Sequence, residues 1–449
     1  MLERLEFKHL GPSPALELRL GERLNLLTGD NGLGKTFVLD AAWWALTRNW
    51  PEGRALLPDP NDPGKPQIGY HVHGVGGANK FCWCDFDYGA EPPEWKLPHR
   101  RPPIPGLIVY ARVDGGFSIW DPARNYWRED SDAPPTALLR PSAYHFNREQ
   151  IWKGLWRTPK DEYEKNRDAL TCRGLIEDIL SWQLDPTEAE TSKLFRTVLA
   201  EISPDRDHPF QLGPLGEVLG WPGKLPTLIT PEAERPVLFD FVSSGVRRML
   251  ALAYALVWAW AEHQRALRLT KRTATEAHRV VLLVDEIETH LHPKWQRRIL
   301  PAILQAVKAL TGSDRPVQLL VTTHAPLVPA SVETQFQTST DRLFNFEQKG
   351  VGRVEVQEVQ WAKFGDASGW LTSPAFDMES GYSQEAEAAM KAADDLMAGY
   401  LVELPSHLRT SDQIHAELKR TLDGGDPYWP LWLPYYRQQR QQPQQGVES

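Results

Sequence analysis

Apolar segments of two kinds follow one another along the chain, and together they predict a mixed α/β protein. Residues 280–284 are a continuous apolar run, which is typical of a strand buried on both faces of a parallel sheet, and the mainly apolar residues 24–27 predict a further strand. Residues 67–127 instead alternate apolar and polar positions between glycine-rich turns, which predicts an antiparallel β subdomain. From 151 to 200 the apolar spacing is helical. We therefore expect an α/β head that carries a β subdomain, a helical lobe and a C-terminal helical extension.

The same pattern divides the chain into four parts. Residues 1–150 would form the first part of the head and the β subdomain, and 151–240 the helical lobe with a proline- and glycine-rich connector at 203–235. Residues 241–345 would complete the head, and 346–449 would form an extension for partner or oligomer contacts. Within the first part, three short strands up to residue 28 are predicted to form a meander, followed by a loop at 51–66. The late aromatic segment DPYWPLW is expected to dock on the body of the protein, or else on a partner.

Composition narrows the class of protein. The formal net charge is −9 and the pI is near 5.9, which disfavours a basic nucleic-acid-binding protein but leaves a local patch open. Three cysteines complete neither a disulfide framework nor a zinc site, so Cys82 and Cys84 are expected at alternate positions of a strand. No signal-like N-terminus and no apolar run of about eighteen residues occurs. We expect a cytoplasmic protein that does not enter a membrane.

Residues 29–36, GDNGLGKT, match the phosphate-binding pattern G-x-x-x-x-G-K-[ST] between a predicted strand and a predicted helix at 37–46. Glycines are needed where backbone N–H groups turn inward around phosphates, since a side chain would block the approach. The lysine would reach the β- and γ-phosphates, the threonine would ligate Mg²⁺, and the helix start would face the anion. A glycine-rich turn without a ligand is the alternative. The residues expected to bind ATP, or GTP, are Gly29, Asn31, Gly32, Gly34, Lys35 and Thr36.

Two carboxylates follow the buried strand at 280–284. Side chains at the C-terminal end of a parallel strand point into the ligand crevice of an α/β sheet. Asp285 would hold the water shell of Mg²⁺, and Glu286 would polarise the water that attacks the nucleotide. A solvated acidic loop after a strand is the alternative interpretation.

Two further segments carry candidate residues. Ser243, Ser244 and Gly245 precede a strongly apolar helix, and by themselves they are best interpreted as its N-terminal cap. His324 follows the apolar strand in VQLLVTTHAPLV, where it would contact the γ-phosphate. With Lys35 and Glu286, His324 completes the set of candidate catalytic residues.

The order of GDNGLGKT, VSSGVRR, VVLLVDEIETHLHP and TTHAP resembles that in ABC-type ATPases of the RecF, SMC and OLD group, in its AAA-type branch. The resemblance covers residues 1 to about 345 and implies a P-loop NTPase fold in which two heads enclose two nucleotides. Ser243 and Gly245 would then contact the γ-phosphate held by the other subunit, and His324 would be the switch histidine. Gln150 resembles the glutamine that senses Mg²⁺, from its spacing and the preceding Phe-Asn. Val242 and Ser244 depart from the usual Leu-Ser-Gly-Gly signature.

Two absences refine this resemblance. The chain has no long heptad run of the SMC coiled-coil arm and no Glu plus Asp-x-Asp cluster of the Toprim nuclease found in OLD proteins. The segments GWLTSPAFDMESGYSQEAEAAM and DPYWPLW look similar to the tails of stand-alone defence ATPases such as PtuA of Septu. This similarity implies a separately encoded effector, often an HNH or Toprim nuclease.

Three functions therefore stay open. The first is an ATPase that forms a dimer or larger oligomer and controls an effector in antiphage defence. The second is a RecF-like repair ATPase that clamps duplex DNA, which the overall acidity of the chain disfavours. The third is a nucleotide-gated scaffold with negligible turnover. A P-loop kinase fits poorly because kinases lack the VSSG and Asp-Glu pairing.

Overall fold

The computed structural model describes residues 1–76, 79–96, 103–125, 143–157, 169–220, 223–270, 277–312, 315–350, 352–378, 380–400 and 404–441. Within these ranges the chain separates into two compact units, Met1–Phe376 and Asp377–Ser449. None of the helices in the described ranges combines the length and hydrophobicity of a helix that crosses a bilayer.

Eighteen strands and thirteen helices occur in the described residues. The strands are β1 Leu2–Lys8, β2 Ala15–Arg19, β3 Leu24–Gly29, β4 Gln67–Val72, β5 Cys82–Asp87, β6 Glu94–Trp95, β7 Leu107–Ala111, β8 Phe117–Trp120, β9 Tyr144–Phe146, β10 Leu155–Arg157, β11 Ala169–Cys172, β12 Gln211–Leu212, β13 Thr227–Ile229, β14 Val237–Leu238, β15 Val280–Val284, β16 Val317–Thr322, β17 Asp341–Gln348 and β18 Val354–Glu358. The helices are α1 Lys35–Thr47, α2 Pro122–Asn125, α3 Arg148–Lys153, α4 Leu175–Leu184, α5 Ala189–Glu201, α6 Ser244–Thr270, α7 Pro293–Gln296, α8 Ile299–Thr311, α9 Leu327–Ala330, α10 Ala367–Leu371, α11 Gln384–Ala398, α12 Ser411–Thr421 and α13 Trp429–Gln441.

An eight-stranded sheet forms the centre of the first unit, in the order β18-β17-β3-β16-β15-β7-β8-β9. Its five inner strands, from β17 to β7, are parallel, and the outer strands are antiparallel. The predicted strand at 24–27 and the predicted helix at 37–46 are confirmed as β3 and α1. The strand predicted at 280–284 is β15, and its neighbours on both sides are parallel, as expected for a continuous apolar run.

The central sheet is covered on both faces. In β15, Val280, Leu282 and Val284 face a core built with α4, α5, α6 and α8, whereas Val281 and Leu283 face a second core built with α1. The second core also contains a five-stranded antiparallel sheet in the order β2-β1-β4-β5-β6. Both faces of these inner strands are buried, which explains why β7 and β15 are apolar at every position. Asn25 of β3 and Gln318 of β16 are polar, and their buried side chains donate hydrogen bonds to the carbonyl oxygen of Gly21.

Two predictions about the β segments are wrong in part. The first three strands do not form one meander, because β3 leaves the hairpin of β1 and β2 and pairs with β16 and β17 in the central sheet. The antiparallel subdomain predicted at 67–127 is confirmed for β4, β5 and β6, but β7 and β8 belong to the central sheet. Cys82 and Cys84 lie at alternate positions of β5, as expected, and both are free thiols.

The lobe between 151 and 240 also differs from its prediction. A hairpin, β10 with β11, precedes the helices α4 and α5. The connector at 203–235 is not simply extended, because β12 and β13 lie within it and form a small antiparallel sheet with β14, which follows it. Such two- and three-residue strands are too short to leave a recognisable period in the sequence.

The second unit is a small helical assembly with its own core. Its helices α11 and α12 confirm that the predicted C-terminal extension is helical. The aromatic segment packs within this unit: Trp432 of α13 is fully buried, and its indole Nε1 lies 3.2 Å from Nδ1 of His415 on α12. Tyr428 donates its hydroxyl hydrogen to the carboxylate of Asp394 on α11 at 2.7 Å. The aromatic side chains are therefore core residues of the C-terminal unit.

Candidate nucleotide-binding site

The loop between β3 and α1 has the backbone that its glycines predict. Gly29, Gly32 and Gly34 all have positive φ, at 121°, 78° and 93°. A β-carbon on Gly29 would lie 2.3 Å from the carbonyl oxygen of Phe346 on β17, and one on Gly34 would lie 2.6 Å from Cγ of Pro12. A β-carbon on Gly32 would meet no described atom within 4 Å. Neighbouring protein atoms thus require two of the glycines, and only the φ angle requires the third.

Lys35 lies inside this loop. Its Nζ donates hydrogen bonds to the carbonyl oxygens of Gly29 at 2.8 Å and Asp30 at 2.7 Å. Burial lowers the pKa of Lys35 to about 8, although the carboxylates of Glu286 and Asp285 act in the opposite direction. The carbonyl groups of the loop therefore hold the side chain of Lys35, the first residue of α1, in position. An anion that bound beside it would stabilise the charged form of the lysine.

Asp285 joins three elements of the site. It follows β15 and is buried, and its two carboxylate oxygens accept hydrogen bonds from Thr36 Oγ1 of α1 at 2.9 Å and Thr322 Oγ1 of β16 at 2.7 Å. Burial raises the pKa of this carboxyl, and the two hydrogen bonds oppose that rise. A hydroxyl oxygen beside a carboxylate is the oxygen-only ligand set that Mg²⁺ prefers, so Thr36 and Asp285 fit the expected ion.

Glu286 and His324 also come together. Glu286 adopts φ 44°, which is uncommon for a residue with a side chain and costs about 1 kcal/mol. Its N–H donates to Thr322 Oγ1 at 2.7 Å, and its Oε2 accepts from Thr289 Oγ1 at 3.1 Å. Nε2 of His324 lies 4.0 Å from Oε1 of Glu286. The strained turn directs the glutamate towards the histidine beside the phosphate loop.

Glu288 is a residue of the site that the sequence reasoning missed. Its Oε1 accepts a hydrogen bond of 2.5 Å from the backbone N–H of His324. It therefore fixes the start of the segment that follows β16. The signal was present, since Glu286 and Glu288 are separated by one residue in DEIETH, but only the first carboxylate was assigned a role.

The serine-rich segment caps α6, as expected. Ser243 is exposed, and its Oγ accepts a hydrogen bond of 3.4 Å from the N–H of Val246. Gly245 is buried, and a β-carbon there would lie 2.7 Å from the carbonyl oxygen of His290. Both residues border a cleft of which none of the described lining residues belongs to the phosphate loop. Contact of Ser243 and Gly245 with a nucleotide in another subunit stays a prediction.

Arg248 connects the start of α6 to the turn that Asp285 and Glu286 form after β15. This residue was not identified from the sequence. Its guanidinium donates to the carbonyl oxygens of Asp285 at 2.9 Å, Glu286 at 3.1 Å and Val113 at 3.2 Å. Burial lowers the pKa of Arg248, against the nearby carboxylate of Asp285. Its signal in the sequence is an arginine in the first turn of a helix whose following residues are almost all apolar.

A second, partly buried acid lies on the helix that follows the loop. Asp40 of α1 accepts a hydrogen bond of 3.0 Å from the hydroxyl of Tyr110 on β7. Burial raises the pKa of Asp40 to about 6, and the charge of Asp285 adds to the rise. Two carboxyl groups therefore share the space under the phosphate loop, which favours a cation there.

Gln150 is placed on α3, where its side chain takes part in a capping box. Its Oε1 accepts from the N–H of Asn147 at 2.9 Å, and its own N–H donates to Asn147 Oδ1 at 2.8 Å. The side-chain oxygen that would approach Mg²⁺ is thus engaged locally. The role of Gln150 in sensing the ion stays a prediction.

Comparison with known proteins agrees with this geometry. Residues 156–330, less than half of the chain, match the family described as "AAA domain, putative AbiEii toxin, Type IV TA system". Over 55 residues the chain is 38% identical to the Retron Ec83 probable ATPase of Escherichia coli and to the Retron Vc95 probable ATPase of Vibrio cholerae. These alignments cover 12% of this chain and only 9% of each of the two relatives.

Solved structures with a similar fold include an SMC head bound to the C-terminal winged-helix domain of ScpA, with a TM-score of 0.40 and 15% identity over 81% of this chain and 98% of that one. The recombination mediator RecF in the RecFOR pathway matches with a TM-score of 0.36 and 12% identity, over 80% of this chain and 98% of that one. Because both scores are low, the fold assignment rests on the strand order and the phosphate loop of this chain itself.

Proposed function

We propose that this chain is an ABC-type ATPase similar to those of the RecF, SMC and OLD group, and that it hydrolyses ATP and uses the nucleotide state to control a separate effector in antiphage defence. The observation that carries this proposal is the pair of hydrogen bonds that join Thr36, Asp285 and Thr322. These bonds connect the phosphate loop to β15 and β16, the two strands that carry the residues proposed to support hydrolysis.

The residues of the site divide the work of phosphoryl transfer to water. The N–H groups of the loop and the ammonium of Lys35 would bind the β- and γ-phosphates and stabilise the charge that develops on them. Thr36 and Asp285 would hold Mg²⁺ and its water shell; the bound ion would neutralise phosphate charge. Glu286 would accept a proton from the attacking water, and His324 would contact the γ-phosphate.

The test of hydrolysis uses Glu286→Gln and Lys35→Ala. We expect Glu286→Gln to bind ATP with near-normal affinity but to lose most of its turnover, at least about a hundredfold, because the amide cannot accept the proton. Lys35→Ala should lose nucleotide binding. Binding is measured by equilibrium titration with ATP and Mg²⁺, and turnover by phosphate release. Glu355→Gln on β18, whose side chain is 40% exposed, is the matched control. Normal turnover in Glu286→Gln would refute the role given to this residue.

The proposed head-to-head assembly is tested separately. Ser243 is exposed at the start of α6, where it is available to a nucleotide held by another subunit. Light scattering of Glu286→Gln should show a larger assembly when ATP and Mg²⁺ are added, and Ser243→Arg should prevent it. An unchanged mass would favour the nucleotide-gated scaffold.

Control of an effector is the least direct part of the proposal. The retron relatives are named as probable ATPases, and the chain aligns with only 9% of their length, so the effector is inferred from the resemblance of the C-terminal segments. The product of a neighbouring gene should co-purify with this chain when the two are co-expressed. Its nuclease activity should differ between the wild-type and Glu286→Gln complexes in ATP; equal activity would contradict control.

A further inference from the structure

Three side chains of types that can ligate a metal ion lie close together on the five-stranded antiparallel sheet, outside the candidate nucleotide site. Glu3 belongs to β1, His71 belongs to β4, and His73 follows β4 directly. Their nearest ligand atoms all lie within 4.8 Å of one another. Neither the proposed ATPase mechanism nor the motifs of the sequence use these three residues.

Strand geometry places the two histidines on the same face. Side chains alternate along a strand, and Ile68, Tyr70 and Val72 of β4 are buried in the core beneath the sheet. His71 and His73, two residues apart, therefore project from the opposite face. Their ring centroids are 5.1 Å apart.

A β-bulge brings Glu3 to these histidines. Leu2 pairs with Val72 and Arg4 pairs with His71, so Glu3 is the extra residue between two pairs. Leu2 and Leu5 are both buried although they are three residues apart, which a regular strand would not allow. The bulge thus keeps the core contacts of β1 and turns Glu3 outward.

The distances within the cluster favour a shared cation. Oε2 of Glu3 lies 2.7 Å from Nδ1 of His71 and 3.6 Å from Nε2 of His73. This Oε2 is buried and has no hydrogen bond of good geometry in the described part of the chain, so its close neighbours are the two imidazoles. Ligands of a tetrahedral zinc ion, with bonds of about 2.0 Å, lie about 3.3 Å apart, between these two distances. A metal ion bound by the three side chains would take the place of a proton between Glu3 and His71.

We propose that Glu3, His71 and His73 form a binding site for a divalent transition-metal ion of the zinc type. Two imidazoles and one carboxylate suit Zn²⁺, whereas Mg²⁺ prefers oxygen ligands alone. Cys82 and Cys84 do not contribute, because they pair with Tyr70 and Ile68 and share their buried face. The three ligands leave a fourth position for water or an external ligand.

The metal would fasten the first strand to the sheet. His73 also donates its backbone N–H to the carbonyl oxygen of Met1 at 2.7 Å, so the ligands lie where β1 begins. A ligand that binds only the folded chain raises its stability. Zn²⁺ should therefore raise the melting temperature.

The experiment uses the full chain without a histidine tag, freed of metal by a chelator and titrated with Zn²⁺ in excess Mg²⁺. We expect one equivalent to bind, and Co²⁺ to give the visible bands of a tetrahedral site. Glu3→Gln, which keeps the shape of the side chain, and the double variant His71→Ala with His73→Ala should each weaken binding more than about tenfold. His208→Ala, an exposed histidine beside a carboxylate, should not.

The site would be refuted if Zn²⁺ bound equally well to Glu3→Gln and the wild type, or bound neither. Loss of zinc binding in Asp285→Asn but not in Glu3→Gln would assign the ion to the nucleotide site and likewise overturn the proposal. If the double variant does not fold, Glu3→Gln and the single His73→Ala variant decide the matter, because the His73 side chain is half exposed.

Discussion

At the scale of the residue, one hydroxyl group organises the candidate catalytic turn. Thr322 Oγ1 donates to Asp285 and accepts from the N–H of Glu286, so the same oxygen orients both acidic residues. Thr322 is fully buried, and no water is needed to complete these bonds. The geometry of two adjacent carboxylates thus depends on a neutral side chain from the next strand.

Replacing this hydroxyl should affect both stability and turnover. Thr322→Val keeps the shape of the side chain but leaves an oxygen of Asp285 and the N–H of Glu286 without their partner. We expect a loss of about 1 to 3 kcal/mol in the free energy of unfolding, and a loss of turnover. Denaturant unfolding and phosphate release measure the two effects.

The matched control is Thr311→Val on α8. This threonine is also buried, but its hydroxyl donates to the carbonyl of Val307 within the same helix. Its replacement should leave turnover unchanged. An equal loss of turnover in both variants would contradict the special role of Thr322.

The lowered pKa of Lys35 predicts how nucleotide affinity depends on pH. In the free protein Lys35 loses its proton around pH 8, whereas bound phosphates would raise its pKa. Binding therefore takes up a proton above about pH 8, and affinity should fall there by up to about tenfold per pH unit. Between pH 7 and 8 the lysine is largely charged and the dependence should be weak.

Titrations with a non-hydrolysable ATP analogue from pH 7 to 10 test this expectation. Lys35→Arg is the comparison, since a guanidinium stays charged throughout this range. Its affinity will be lower overall, but the fall above pH 8 should be absent. A fall of the same steepness in both proteins would assign the titration to another group.

At the scale of the element, α6 links the exposed serine cap to the acidic turn. Ser243 directly precedes α6 and the partly buried Arg248 lies in its second turn. The arginine donates hydrogen bonds to three carbonyl groups of the loops after β7 and β15. A movement of the start of α6 would therefore displace Asp285 and Glu286. Because Arg248 contacts the backbone of the turn at Asp285 and Glu286, it would hold this turn whatever side chains the turn carries.

Removal of the Arg248 contacts should reduce turnover more than binding. We expect Arg248→Gln to keep ATP affinity within a few-fold, because the phosphate loop is intact, and to lower turnover at least about tenfold. Arg247→Gln is the control: its guanidinium instead donates to the carbonyl of Asp240 and lies over the ring of Trp152. Equal kinetic effects of the two variants would show that the helix start as a whole, and not the Arg248 contacts, matters.

The sequence predicted the elements of the site better than their connections. β3, β15 and β16 were identified because their sequences are mainly apolar, and the polar residues at their ends were identified from position alone. β7 is also apolar, but its place in the sequence next to β8 indicated an antiparallel hairpin. Its parallel partner β15 lies far away in the chain, so nothing in the sequence indicated that pairing. Arg248 and Glu288 are recognisable in the sequence as charged residues beside the predicted site, but their roles are not, because each contacts a backbone group that only the folded protein brings into reach.

At the scale of the whole molecule, two units have separate hydrophobic cores. The C-terminal core consists of residues of α11, α12 and α13 and the turns between them, with Trp432 fully buried among them. The site residues all belong to the first unit. Each unit can therefore be perturbed by itself.

Trp432→Ala should unfold the C-terminal unit without affecting nucleotide binding. Removal of a buried tryptophan costs about 3 to 5 kcal/mol, which is large for a core of this size. Hydrogen exchange should show lost protection in α11 and α12, while ATP affinity stays at the wild-type value. Leu431→Ala, an exposed residue of the same helix, is the control. Weaker ATP binding in Trp432→Ala alone would show that the units are coupled.

α6 is long enough to carry a small movement at its start to a distant part of the first unit. Its 27 residues form one helix that begins beside the acidic turn and ends at Thr270. Such a helix is about 40 Å long, so a tilt of about 5° at its first turn moves its far end by about 3.5 Å. If the nucleotide acts as proposed above and tilts the start of α6, the far end of the helix would shift by about one atom's diameter. That end would then transmit the proposed nucleotide signal to a partner that does not itself contact the nucleotide.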